Sequence, residues 1–297
     1  RVPATSRKRQ RILLCGDFFA GGFHGAAVHP DADMGLLWPA ITGFLERVHH
    51  QEGLVPDFDS VLIKDVQSTL AFDTRALRSC HYQRLNANST MVLSMPERWK
   101  TYSDYLENLN VRHRMGAYRV ARDLNRAQIQ VQRIRDVSPH ASRMHTLYQA
   151  IQQNKRRVFA TLPEAFLPAL GAELGDGSFR CTGLFLNGQL DAFVFTVRDR
   201  DTAVCFCLGW DRERCVGLPV LPALLHAVIE DALNMGCRRI DFGRTALKAK
   251  AQVGAHPQAS EIWARQSALG VPENLQAALE PLTHTPNADP VLTFSQS

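Results

Sequence analysis

The stretch Phe179-Arg-Cys-Thr-Gly-Leu-Phe-Leu-Asn187-Gly188-Gln-Leu-Asp-Ala-Phe-Val-Phe-Thr-Val-Arg198 decides how the chain is read. Asn-Gly between two apolar runs is the strongest short hairpin signal, because both residues tolerate the positive φ of a tight turn. Apolar residues occupy both faces of the flanking runs Phe179–Leu186 and Gln189–Arg198, so the sheet they form is covered on both sides. Asp199-Arg-Asp201 turns the chain again into Thr202–Trp210. Leu218–Met235 follows with helical spacing of Leu221, Leu224, Leu225, Val228, Ile229 and Leu233. Pro219 stands near its start, where a missing N–H is harmless, and Gly236 closes it. Arg238–Phe242 is a strand tight behind. A helix between the third meander strand and the next strand makes a parallel crossover in a mixed sheet.

Upstream, Gln128–Arg135 alternates as a half-exposed strand whose register slips at Arg133. Met144–Asn154 is a helix. Thr161-Leu-Pro-Glu164 predicts a capping box opening a second helix through Leu174. Tyr102–Leu124 carries the longest helical pattern. Before it, Arg11–Gly16, Ser60–Lys64 and Thr90–Leu93 predict short buried strands, with a helix over Leu36–His50. Three strands and one good helix make a thin lobe. The predicted division is residues 1–95 as a partial N-terminal lobe, 96–270 as the main domain, and 271–297 as a loosely ordered tail. Ile262-Trp-Ala is a possible last strand.

The 297 residues are 45% hydrophobic and 21% charged, which suffices for a sizeable core. No apolar run approaches the ~20 residues that span a bilayer. The basic start is not followed by a signal-type apolar region, and the absent initiating Met is expected of a fragment or processed form. Seven scattered cysteines, an odd number, read as free thiols of a reducing compartment, and the expected location is cytoplasmic. Cys205-x-Cys207 is expected on one face of a strand, as core packing; no metal site is predicted. Net charge is +5 and the pI near 8.9, which permits a polyanionic ligand such as a nucleotide, CoA or tRNA.

The most chemically loaded stretch is Arg238–His256. A buried strand carrying Asp241 runs through Gly243 into Arg244, Lys248 and Lys250. A carboxylate inside an apolar strand needs a partner. Polar groups crowded at the end of an α/β strand mark ligand sites. Tyr105, Arg112 and Arg119 lie seven residues apart on one helix face, and guanidinium forks bind phosphates and carboxylates. No Gly-x-Ser-x-Gly elbow, metalloprotease histidine spacing or Lys-Ser/Thr phosphate loop is present.

Tyr102-Ser-Asp-Tyr105-Leu-Glu-Asn-Leu109-Asn-Val-Arg112-His-Arg114-Met-Gly-Ala-Tyr-Arg119 resembles the tyrosine–leucine–arginine helix of FemAB-like proteins in the GNAT superfamily. Asp241-Phe-Gly243-Arg244-Thr-Ala-Leu-Lys248-Ala-Lys250 resembles their late strand and turn. Cys15-Gly16 through Gly25 is similar to a glycine-bearing strand and loop of their preceding lobe. The resemblance implies an α/β (α+β) fold with a GNAT-like mixed central sheet flanked by helices and a partial second GNAT-like lobe. It implies an N-acyltransferase that moves an acyl group from acyl-CoA to a small-molecule or peptide amine. The alternatives are an aminoacyl-tRNA-dependent transferase, with tRNA as partner, and a non-catalytic GNAT-like binding module. Asp241 and His256 are then the expected proton acceptors, with N–H groups near Leu208–Trp210 holding the oxyanion. Arg244, Lys248 and Lys250 would hold the donor, and Tyr105, Arg112, Arg119 and Trp210 the substrate. The phosphate loop ahead of the main helix departs from GNAT enzymes: here it is Arg212-Glu-Arg214-Cys-Val-Gly217-Leu-Pro219, in which Arg214 and Gly217 are the candidates.

Overall fold

A computed structural model describes residues 11–17, 19–22, 24–29, 31–50, 58–67, 74–85, 88–153, 161–266 and 294. In chain order its elements are β1 (Ile12–Cys15), α1 (Leu37–His50), β2 (Ser60–Gln67), α2 (Arg75–Ser79), β3 (Gln83–Arg84), β4 (Asn88–Ser94), α3 (Tyr102–Asn108) and α4 (Val111–Arg126). They continue as β5 (Gln130–Ile134), α5 (Ala141–Gln152), α6 (Phe166–Ser178), β6 (Phe179–Leu186), β7 (Gln189–Asp199), β8 (Thr202–Trp210), α7 (Val220–Asn234), β9 (Arg239–Asp241), α8 (Leu247–Gln252) and β10 (His256–Gln266). The chain divides into two compact units: residues 1–18, 22–89 and 258–285, and residues 19–21, 90–257 and 286–297. The predicted tail falls outside the described residues except Phe294.

In the first unit β1 pairs in parallel with β2, and β2 pairs antiparallel with Ser260–Gln266 of β10. The last strand therefore joins the N-terminal lobe, because its apolar Ile262 and Trp263 are buried there. Trp38, Ile63, Val66, Leu77, Tyr82 and Trp263 form one core cluster.

The second unit is the predicted mixed sheet flanked by helices. β5, β6, β7 and β8 form an antiparallel meander, β8 pairs in parallel with β9, and β9 pairs antiparallel with β4. Asn187 and Gly188 turn the hairpin at φ of 52° and 76°, as their residue types predict. The core face of α7 packs on one side of the sheet through Leu224, Val228, Ile229 and Ala232. Met144, Leu147 and Tyr148 of α5 and Leu167 of α6 cover the other.

Three local readings change. The long helix is two, because Leu109 turns extended and the Asn110 side chain caps the second by accepting the His113 N–H at 3.1 Å. The capping box lies at Thr101 and Asp104 rather than at Thr161 and Glu164. A turn donating the Phe166 N–H to the Pro163 carbonyl delays α6, which begins without a side-chain cap. Cys205 and Cys207 face opposite sides of the sheet. Cys205 pairs with Thr196 and Cys207 with Phe195, so Phe206 is an extra, bulged residue that inverts the alternation.

Candidate functional site

β8 and β9 run together only over Thr202–Val204 and Arg239–Asp241. Beyond that β8 continues through Cys205–Trp210 while β9 stops, so the sheet forks. The bulge at Phe206 sits where the fork opens. Gly209, further along β8, passes so close to α5 that an added Cβ would lie 2.6 Å from the backbone of Leu147 and Tyr148. The open edge of β8 is thus fixed from behind by a helix backbone.

Asp241 stands at the apex of the fork and is buried. Its Oδ1 accepts the Gly243 N–H at 2.7 Å. Gly21 passes directly over it: a Cβ there would lie 2.8 Å from Asp241 Oδ2 and 2.9 Å from Thr90 Cγ2. Only glycine permits that approach. Lys250, also buried, reaches from α8 to within 4.0 Å of where a side chain at Gly243 would begin. Burial pushes the Cys205 thiol up to about 11, while Lys250 draws it down and Asp241 raises it. All three groups therefore share one electrostatic neighbourhood.

Most of the other predicted residues are not gathered there. Arg244 is half-buried in the turn between β9 and α8; Lys248 and His256 are exposed. No hydrogen bond or ion pair joins His256 to Asp241. Tyr105 is a core residue rather than a ligand contact: it has no exposed surface, and its hydroxyl donates to the Val253 carbonyl at 3.1 Å. Arg112 and Arg119 are exposed on α4. Trp210 is half-exposed at the end of β8, with the Arg212 guanidinium 6.0 Å from its ring centre. Sequence reasoning missed Gly21 and Cys205. The carboxylate and the glycine are 220 positions apart, and the bulge at Phe206 has no signature in the residue types.

The loop between β8 and α7 is built differently. Asp211 Oδ1 accepts the N–H groups of Glu213 at 3.1 Å and Arg214 at 3.0 Å, and its carbonyl accepts that of Cys215. Arg214 Nε binds buried Asp191 at 2.8 Å, and Arg143 bridges Asp191 and Asp211. At the start of α7, Pro219 and Pro222 have no N–H. Those of Val220 and Ala223 are donated to Leu218 and Pro219 carbonyls. A pyrophosphate needs free N–H groups at such a helix start. The engaged N–H groups are withdrawn from the pyrophosphate of CoA, while Gly217 takes the positive φ of 76° that a phosphate-wrapping turn uses.

Residues 111–251 match the family model of the acetyltransferase (GNAT) domain. That segment is similar to a GNAT acetyltransferase domain. Among solved structures the chain is similar to FemX, at 12% identity and a TM-score of 0.58, covering 94% of this chain and 84% of that one. It is also similar to L-PGS from Bacillus licheniformis, at 9% identity and a TM-score of 0.55, covering 82% and 77%. A third is the C-terminal domain of a protein classed as a lysylphosphatidylglycerol synthetase from Agrobacterium fabrum, at 8% identity and a TM-score of 0.54, covering 84% and 77%. At these identities the likeness is one of fold. No curated protein matches the chain in sequence. None of its described helices is long and apolar enough to cross a membrane.

Proposed function

We propose that the GNAT-like domain transfers an acyl or aminoacyl group to an amine at the β8–β9 fork, with Asp241 taking the amine's proton. The observation that carries this reading is the pair of buried ionisable groups, Asp241 and Lys250, at the place where the sheet opens. Charged side chains are seldom buried without a task that rewards their desolvation. The amine lone pair forms the new C–N bond, and the bond from the carbonyl carbon to the carrier's oxygen or sulfur breaks. The proton lost by the amine passes through Asp241 to the departing carrier. Backbone N–H groups along the open Cys205–Trp210 edge are suited to hold the oxyanion, and the Lys250 ammonium offsets the carboxylate.

The donor is the finer question. The pairing of Arg214 with Asp191 and the engaged N–H groups before α7 speak against acyl-CoA held in the usual GNAT manner. The FemAB resemblance supplies the other carrier, an aminoacyl-tRNA, with a peptide or small-molecule amine as acceptor. The test is transfer of isotopically labelled acyl groups, from acyl-CoA and separately from charged tRNA, with and without RNase. Label transfer abolished by RNase is expected. Transfer from acyl-CoA that resists RNase overturns the carrier, and an undiminished rate in Asp241→Asn overturns the site.

A further inference from the structure

α4 turns an unusual face to solvent. Its inward side is Ala117 and Leu124, both buried. At the roughly 100° per residue of an α-helix, Val111, Met115, Tyr118 and Arg122 fall on one line along the flank of the solvent face. The first three are 67%, 55% and 51% exposed, so an apolar line lies open to solvent beside the outermost residues. Arg112, Arg119 and Arg126 form a second line beside it, all exposed and none in a hydrogen bond or ion pair with a described residue. Arg114 flanks the apolar line on the other side and donates to the Glu107 carbonyl. Within α4 five arginines face a single carboxylate, Asp123, which is engaged by Arg122.

From this two-striped face we infer that α4 docks on an anionic lipid surface, lying in the interface with Val111, Met115 and Tyr118 entering the acyl boundary and the arginine line at the level of the phosphates. A helix that binds in this way combines an apolar stripe with flanking cations. Tyrosine is at home where one end of a ring is apolar and the other wet. Nucleic acid offers the phosphates but no continuous apolar phase for Val111 and Met115; its recognition would call for further aromatic platforms. The face needs nothing from the fork and stands independently of the acyl-transfer reading.

Flotation of the full chain with vesicles tests it, using phosphatidylcholine containing phosphatidylglycerol against phosphatidylcholine alone. The protein is expected to float with the anionic vesicles only, and less as salt rises. Arg112→Gln and Arg119→Gln should each weaken binding roughly five-fold. Met115→Gln with Tyr118→Gln should weaken it at unchanged charge. All four positions are exposed, so thermal melting should not move. Absence of flotation with anionic vesicles overturns the inference. So does flotation that both sets of variants leave intact, or loss in these variants of binding to a single-stranded RNA or an acidic protein while vesicles are not bound.

Discussion

The two strand ends that meet α7 and α8 hold similar residues and do opposite things with them. At the end of β8, Asp191, Asp211, Arg143 and Arg214 neutralise one another, and the surrounding N–H groups are turned inward onto Asp211. At the end of β9, Asp241 and Lys250 are buried beside an open strand edge and a glycine that lies on the carboxylate. Charge at a strand end is therefore no guide to a site by itself. What distinguishes the β9 end is that its polar groups converge where β8 and β9 part. The β8 loop spends its polar groups on holding its own shape.

The largest effect should come from Asp241→Asn. If the fork is where chemistry occurs, removing the proton acceptor lowers the transfer rate by roughly 10²–10⁴-fold, and the melting temperature should fall as well, because the buried Lys250 ammonium loses its counter-charge. A steady-state assay beside a thermal melt measures both. The reciprocal change at the β8 end, Asp191→Ala, should act on stability. It strands Arg214 and takes from Arg143 one of its two carboxylates, since both share one oxygen of buried Asp191. Breaking a buried pair costs about 3–5 kcal/mol; because both arginines are partly solvated, about 2–3 kcal/mol is expected by urea denaturation. A large activity loss at unchanged stability in Asp191→Ala would reverse the roles of the two strand ends.

Much of this frame is legible in the residue order. Asn187-Gly188 fixes the hairpin, Pro219 and Gly236 bracket α7, and the crossover to Arg239–Asp241 follows from them. The stretch around Asp241 is visible as a carboxylate in an apolar strand. The rest depends on contacts between distant positions. Nothing near Gly21 announces that it will close over Asp241, and Tyr105 reads as a ligand contact until the packing buries it against Val253. A bulge at Phe206 is invisible because Cys-Phe-Cys alternates as well in either register. Arg214 looks available for phosphate until Asp191, 23 residues away, claims its Nε.

A third buried group supplies a control that neither strand end can mimic. His226 accepts or donates at 2.9 Å with the Tyr102 hydroxyl, and burial lowers its pKa to about 4. In the unfolded chain it protonates near 6.5. Between those values the unfolded state binds the extra proton, so stability is full above about pH 6.5 and falls as the pH drops toward 4, by about 2–3 kcal/mol. Urea midpoints across that range should slope in the wild type and flatten in His226→Gln. Burial also raises the Asp231 carboxyl; comparing the two proteins subtracts its contribution. A midpoint that is level in the wild type would show that the α3–α7 layer admits solvent, and the burial arguments at the fork would weaken with it.

The smallest effect is the sharpest probe of geometry. Burial pushes both Cys205 and Cys215 up to about 11, one at each strand end. At neutral pH both should alkylate slowly, since only the thiolate reacts. Their neighbours then set the order of response. At the fork, Asp241→Asn removes a negative charge that raises the Cys205 thiol and should speed its alkylation; Lys250→Met removes the charge that lowers it and should slow it. In the loop, Asp191→Asn should speed Cys215 and Arg214→Gln should slow it. Site-resolved mass spectrometry over a time course reads each thiol separately. Independence of the two responses is the decisive outcome, because a global loosening of the sheet would accelerate both thiols together. Only separate electrostatic neighbourhoods let a change at Asp241 move Cys205 and leave Cys215 where it was.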